Sequence, residues 1–266
     1  MKQPPGLIRT IQSLVEILRG KPQVPASLAD NKLLKVILHR RSIRAFTTQP
    51  VAEDVFTAIL EAGRLAPSTV NLQSWTFAAF DNALWQQTFG HSIPFHASRA
   101  VIIISDPTRY RQVLDFPDCP LTEYTIGVMN ASLAAMNMNL AAEALGISSV
   151  MLSETGRSGI LDAKYLAETL CLPPGAVPLM TIVFGYARGA YPPMPPRLPM
   201  EQIVFHGSYR PADPAILQGW LEQMVAGYNA SHLGSSFQNQ LNLYQSKIGK
   251  AEADLREMIF SREKEG

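Results

Sequence analysis

Ala66-Pro67-Ser68-Thr69-Val70-Asn71-Leu72-Gln73-Ser74-Trp75 is the stretch on which the interpretation of this chain turns. Hydroxyl and amide side chains crowd it, and Trp75 opens an apolar run, so it reads as a polar loop entering a β-strand. Such a loop offers donors and acceptors to a polar heterocycle or a polyol; taken alone, it reads first as an ordinary turn rich in Ser, Thr and Asn. Upstream, at the end of a predicted helix, stands Arg40-Arg41-Ser42-Ile43-Arg44. Guanidinium groups and a hydroxyl at this spacing make a compact anion site, because planar forks give phosphate oxygens bidentate hydrogen bonds that a point charge does not match. The same pentapeptide also serves as a solvated basic cluster facing the negative end of a helix dipole.

Around these segments the periodicity alternates between helical and strand-like, the pattern of a mixed α/β domain. Helices are predicted from Lys32 to Arg40, after Pro50 as far as about Gly63, over the long run Ile126–Leu145, and from Leu161 to Leu170. Strands are predicted at Trp75–Phe80, Val101–Ser105, Ser149–Leu152 and Leu179–Tyr186. Before this core, Leu7, Ile11, Leu14, Val15 and Leu18 share one face of a helix, and the stretch from Lys21 to Ala29 reads as a linker. After it, Ser208–Pro214 connects to a helical tail in which Phe237, Leu241, Tyr244, Ile248, Ala251, Leu255 and Met258 recur at 4-3 spacing. That narrow stripe suits either folding back on its own domain or contact with a second chain. The organisation expected is therefore 1–30, helix and linker; 31–206, the main domain; and 207–266, a helical extension.

Composition narrows the function. With 266 residues, 47% hydrophobic and 17% charged, the chain has enough apolar content for one sizeable core. Its 23 basic and 22 acidic residues leave a net charge of +1, which excludes binding driven by phosphodiester neutralisation, so no nucleic-acid partner is expected. Cys119 and Cys171 form no CxxC pair, and the five histidines show no HExxH spacing, so neither a metal site nor a dithiol centre is indicated. No GxSxG elbow, phosphate loop of the GxxxxGK[ST] type, or GxGxxG after a strand is present. The residues from Met1 to Gly20 lack a secretory pattern, and Ile126–Leu145 is interrupted by Asn130, Asn137, Asn139 and Glu143. A buried helix rather than a membrane span, and a cytoplasmic location, are the expectations.

Together the two opening segments resemble the nitroreductase family, whose members carry an Arg-Arg-Ser-x-Arg run and then an Ala-Pro-Ser-x-x-Asn-x-Gln-Pro-Trp loop before the first strand. The junction Ala144-Leu145-Gly146-Ile147, the pair Gly185-Tyr186 and the run Pro196-Arg197-Leu198-Pro199-Met200-Glu201 extend the resemblance in the right order. It spans about residues 31 to 206. Two departures stand out: Ser74 replaces the usual proline, and Pro195 stands where many relatives have lysine.

The resemblance implies an α+β fold with a central mixed or antiparallel sheet flanked by helices, in an intertwined homodimer that binds FMN at its interface. It implies that Arg40, Arg41 and Ser42, with Arg197, hold the FMN phosphate and nearby ribityl hydroxyls. Arg44 would stand toward the pyrimidine edge of the flavin, where a fixed cation stabilises charge that collects on reduction. Pro67, Ser68, Thr69 and Asn71 would reach the flavin held mainly by the other subunit. Glu154-Thr155-Gly156 would present a backbone N–H to flavin N5; no side chain is expected to be catalytic. The implied activity is FMN-dependent transfer of hydride from NADH or NADPH to a small nitroaromatic or quinone-like acceptor by a ping-pong mechanism. The alternatives are a specialised flavoenzyme of the same fold, for dehalogenation, flavin breakdown or dehydrogenation, and a non-catalytic flavin-binding protein.

Overall fold

The computed structural model describes residues 6–153 and 159–260. Two compact units are present: Met1–Pro25 with Pro192–Ser246, and Ala26–Tyr191 with Lys247–Gly266.

The larger unit is built on a four-stranded sheet, β1 (Trp75–Asp81), β2 (Arg99–Ser105), β3 (Ser148–Leu152) and β4 (Val177–Gly185), in the order β1-β2-β4-β3. All neighbouring strands run antiparallel. All four expected strands are present, each within about two residues of its expected ends. β2 is apolar almost throughout because both faces of the sheet are covered. Val101 and Ile103 join Ile182 and Phe184 in one buried cluster, with Phe56, Ile59, Ala134 and Met138. Ala100, Ile102 and Ile104 point to the other, with Val150, Val183, Phe80, Trp85 and Leu166.

Helices α2 (Lys32–His39), α3 (Glu53–Arg64), α4 (Asn82–Phe89), α5 (Thr108–Arg111), α6 (Pro120–Ala144) and α7 (Ala163–Thr169) surround this sheet. α4 was not predicted, although its stops stand in the sequence. Asp81 caps it by accepting from the Leu84 N–H at 2.8 Å, and Gly90 closes it in the left-handed conformation at φ 75°. α6 lies against α3 so closely that a Cβ on Gly63 would fall 2.2 Å from Met138 Cε. Near its start, buried Glu123 receives Arg111 Nε at 2.7 Å and Nη2 at 2.7 Å, together with Tyr110 Oη at 2.9 Å. This pins the segment carrying α5 to the long helix. Among the described residues no helix is long and apolar enough to cross a membrane.

In the smaller unit, α1 (Leu7–Arg19) packs on α9 (Pro214–Ser231), joined by Arg9–Glu222 at 3.0 Å and Gln223–Glu16 at 2.7 Å. The short helix α8 (Met200–Ile203) also belongs to this unit. The apolar residues predicted to share one face of α1 are not what it buries. Ser13 is buried, whereas Leu7, Ile11 and Leu18 are exposed. An amphipathic pattern identifies a face that favours cover, but it does not say what covers it.

Helix α10 (Phe237–Phe260) contributes to both units. Phe237 meets Tyr228 edge-on at 5.8 Å in the smaller unit, while Leu255 and Met258 pack against the core cluster of the larger. The end of the tail therefore folds back on its own chain, and Tyr244 and Ile248 remain exposed.

Two ion pairs separate by burial. Arg111→Ala, which strands a carboxylate only 8% exposed, is expected to cost about 3 kcal/mol in urea denaturation. Arg64→Ala, which breaks the exposed pair with Glu61 at 2.6 Å, is expected to cost under about 1 kcal/mol in the same assay.

Candidate functional site

α2 starts where Asn31 accepts the Leu34 N–H at 3.0 Å, and it ends at His39. Arg40 then turns the backbone into extended geometry, with φ −52° and ψ 135°. Arg41 closes the helix: its Nη1 donates to Leu38 O and Arg40 O, both at 2.8 Å. Its Nε is buried and has no hydrogen-bond partner. Ser42 forms a parallel bridge with Ser149 of β3, and the Ile43 N–H donates to Ser149 O at 3.1 Å. Ile43 and Phe46 are buried, which turns Arg44 outward to solvent. The basic run is thus fixed in register by the edge of the sheet, not left as a solvated helix end.

Three further residues frame this run. Tyr191 Oη lies 2.7 Å from Ser148 Oγ and donates to Glu143 Oε2 at 3.4 Å. Burial holds the Glu143 carboxyl above the usual carboxylate range, against the lowering effects of that hydrogen bond and of the Arg40, Arg41 and His39 charges. Deeper in, Ser149 Oγ donates to Asn139 of α6.

The Ala66–Trp75 loop hangs from another part of the same helix. Asn130 Oδ1 accepts the Thr69 N–H at 3.0 Å, and Asn130 Nδ2 donates to Ser74 Oγ at 2.8 Å. Ser68 Oγ accepts the Gln73 N–H at 3.0 Å. These bonds explain Ser74 in place of proline, since its buried hydroxyl is Asn130's acceptor. They also hold a strained backbone: Val70, Asn71 and Gln73 have φ of 51°, 58° and 48°. For β-branched Val70 that conformation is an outlier, and such strain persists where surrounding bonds impose it. Pro67, Thr69 and Asn71 are exposed, and Val70 is 86% exposed.

Along α6, Asn130 and Glu143 stand about 20 Å apart at the helical rise. One chain therefore brings Arg40, Arg41 and Ser42 together at the last turns of α6, and holds Pro67, Ser68, Thr69 and Asn71 at its middle. Arg197 belongs to the smaller unit, exposed in the run before α8, where Pro196 O accepts Trp220 Nε1 at 3.4 Å. Glu154, Thr155 and Gly156 lie outside the described residues. A cavity of about 570 Å³ lined by Thr47, Asn82, Gln86, His96 and Ser98 contains none of the predicted site residues. Among the described residues no group of His, Cys, Asp and Glu is placed to hold a metal ion.

Sequence reasoning missed Asn130, Asn139, Glu143 and Tyr191 as parts of the site. The signal existed for the first three, which are polar interruptions of an otherwise apolar helix. Tyr191 carried none, because its partners come from distant parts of the chain.

The donor set fits an anionic, polyhydroxylated ligand. It offers guanidinium groups on a fixed backbone, a buried Arg41 Nε lacking an acceptor, and a separate loop of hydroxyls and amides.

The family model described as "Nitroreductase family" matches residues 37–93 and 86–186. An oxygen-insensitive NADPH nitroreductase of Salmonella typhimurium is 30% identical over 203 residues, covering 73% of this chain and 82% of that protein. An FMN reductase [NAD(P)H] of Bacillus subtilis is 27% identical over 225 residues, covering 79% of this chain and 88% of the relative. Among solved structures, nitroreductase A from Vibrio parahaemolyticus superposes with a TM-score of 0.66 at 24% identity, covering 81% of this chain and 91% of its own.

Asn130→Ala leaves the Thr69 N–H and the Ser74 hydroxyl without their partner. It is expected to destabilise the protein by about 1–3 kcal/mol and to speed amide hydrogen exchange at Thr69 while exchange in β2 and β4 stays slow. Unchanged exchange at Thr69 would show that Asn130 does not hold the loop.

Proposed function

The chain belongs to the nitroreductase family, and on that premise we propose that it is an FMN-dependent NAD(P)H oxidoreductase, working as a homodimer on a small nitroaromatic or quinone-like acceptor. The observation that carries the proposal is the family match over residues 37–186 together with the basic run fixed beside β3. A cytoplasmic location goes with this reading.

In it, Arg40, Arg41 and Ser42, with Arg197, hold the FMN phosphate and ribityl chain. Arg41 also closes α2, so part of its guanidinium is committed to the protein. Arg44, turned to solvent by the alternation of the extended segment, supplies the fixed cation for the pyrimidine edge. A backbone N–H of the Glu154–Gly156 turn serves the flavin N5. When bound, FMN supplies the two-electron chemistry that links hydride donation by NAD(P)H to reduction of the acceptor. The protein's part is to position and to set charge: guanidinium groups hold the phosphate end, and the strained loop presents hydroxyl and amide groups without rearrangement.

Two observations support a second copy. Leu121, Met129, Leu133 and Met136 are exposed along α6, a helix apolar around most of its circumference, which favours cover by another protein surface. The loop and the basic run are also attached at separate points of that helix, about 20 Å apart. Antiparallel pairing through α6 would lay each chain's loop beside the partner's arginine run, and Pro67, Ser68, Thr69 and Asn71 would then complete the partner's site.

Purified protein is expected to be yellow, with one FMN per chain, and to bleach when NADH or NADPH is added without oxygen; colourless protein that takes up no added FMN would contradict the proposal. Arg40→Ala combined with Arg197→Ala removes charge-assisted hydrogen bonds worth about 1.5–3 kcal/mol each. FMN affinity should fall more than about tenfold with little change in melting temperature. Leu133→Glu should convert the dimer to monomer in light scattering and release FMN along with it.

A further inference from the structure

Among the described residues, Glu143 is the carboxylate in the polar cluster formed by the end of α2, the end of α6, the start of β3 and the segment after β4. An acidic side chain is out of place beside groups that are to receive phosphate, unless it does something there. Among the described residues it forms no ion pair; its hydrogen bond is to Tyr191 Oη at 3.4 Å, and Tyr191 is itself tied to Ser148 at 2.7 Å. Glu143 therefore does not clamp the arginines in position. It acts on them through space, and a charge acting that way in a half-buried site is screened less than one in open water.

Resting on the FMN reading above, we propose that Glu143, steadied by Tyr191, is a resident counter-charge that competes with the flavin phosphate for Arg40 and Arg41, and so sets how strongly the site discriminates for a phosphorylated flavin. Among the described residues, the charged and titratable groups facing it are His39, Arg40 and Arg41 from the end of α2 and Tyr191 from the segment after β4. Ser148, from β3, carries no charge.

The direction follows from the charges. Ionised, Glu143 offsets part of the guanidinium charge and repels the phosphate, so FMN binds less tightly. Protonated, it is neutral and the arginines act on the phosphate undiminished. Burial raises the Glu143 pKa, which moves this change toward neutrality, while the Tyr191 hydrogen bond lowers it. Wild-type protein and Glu143→Gln should thus bind FMN alike at low pH and diverge as pH rises through the carboxyl's titration. Tyr191→Phe removes the lowering hydrogen bond, so its divergence should begin at higher pH.

The test is a titration of flavin-stripped protein with FMN, followed by quenching of flavin fluorescence, from pH 5 to pH 8. Riboflavin serves as the ligand without phosphate. Taking the ratio of wild-type to Glu143→Gln Kd at each pH removes the pH dependence that the two proteins share. The expected ratio for FMN is smallest at the lowest pH and rises with pH toward about three to ten at pH 8, with no such change for riboflavin. A ratio that stays at one, a Glu143→Gln protein that binds FMN more weakly, or an equal effect on riboflavin would overturn the proposal. If Glu143→Gln does not fold, judged by its melting curve, the comparison of wild type with Tyr191→Phe decides: tight FMN binding should persist to higher pH in the variant, and coincident profiles would refute the counter-charge role. Wild-type protein that binds no FMN at any pH would instead bring down the FMN reading itself, and this inference with it.

Discussion

An apolar helix that carries a few polar side chains must give each of them a partner, and this constraint on α6 organises the larger unit. Leaving such groups unpaired in the interior costs about 1–3 kcal/mol each, so their partners are fixed as firmly as the helix. Asn130 fixes the Ala66–Trp75 loop, Asn137 bonds Ala62 O of α3 at 3.1 Å, Asn139 meets Ser149 of β3, and Glu143 meets Tyr191. The helix thereby acts as a ruler that assigns the loop and the basic run their separate stations.

The sheet supplies the rigidity behind this arrangement. β2 and β4 are buried on both faces, and the chain after α2 is stitched to the same sheet, to β3 by the Ser42–Ser149 bridge and just past the end of β4 by the Thr47 N–H to Tyr186 O at 2.8 Å. The basic run is thus an extra edge segment, and its alternation sends Ile43 inward and Arg44 out. The same rigidity lets the loop keep Val70 in the left-handed region, a cost of about 1–3 kcal/mol that has to be offset elsewhere.

Much of this was legible in the residues. The apolar runs marked all four strands, and the two polar motifs marked the family and hence the fold. What escaped depends on partners distant in sequence. Arg41 was read as a phosphate ligand with no sign that two carbonyls at the end of α2 would also engage it. The polar residues of α6 were weighed against a membrane span and not for what they would bond. α1 showed an apolar face but not that Ser13 would be the buried side, because amphipathicity is a property of one helix and packing is a property of two. The tail stripe was evenly balanced between two destinations, and its last turns pack on their own core.

The central claim is that FMN is held between two copies of the chain, with the arginine run from one and the loop from the other. Native mass spectrometry of the purified protein tests it most directly. The account predicts a species of two chains carrying two FMN molecules, with loss of flavin accompanying dissociation to single chains. Single chains that keep a full complement of FMN, at concentrations where no dimer forms, would contradict it.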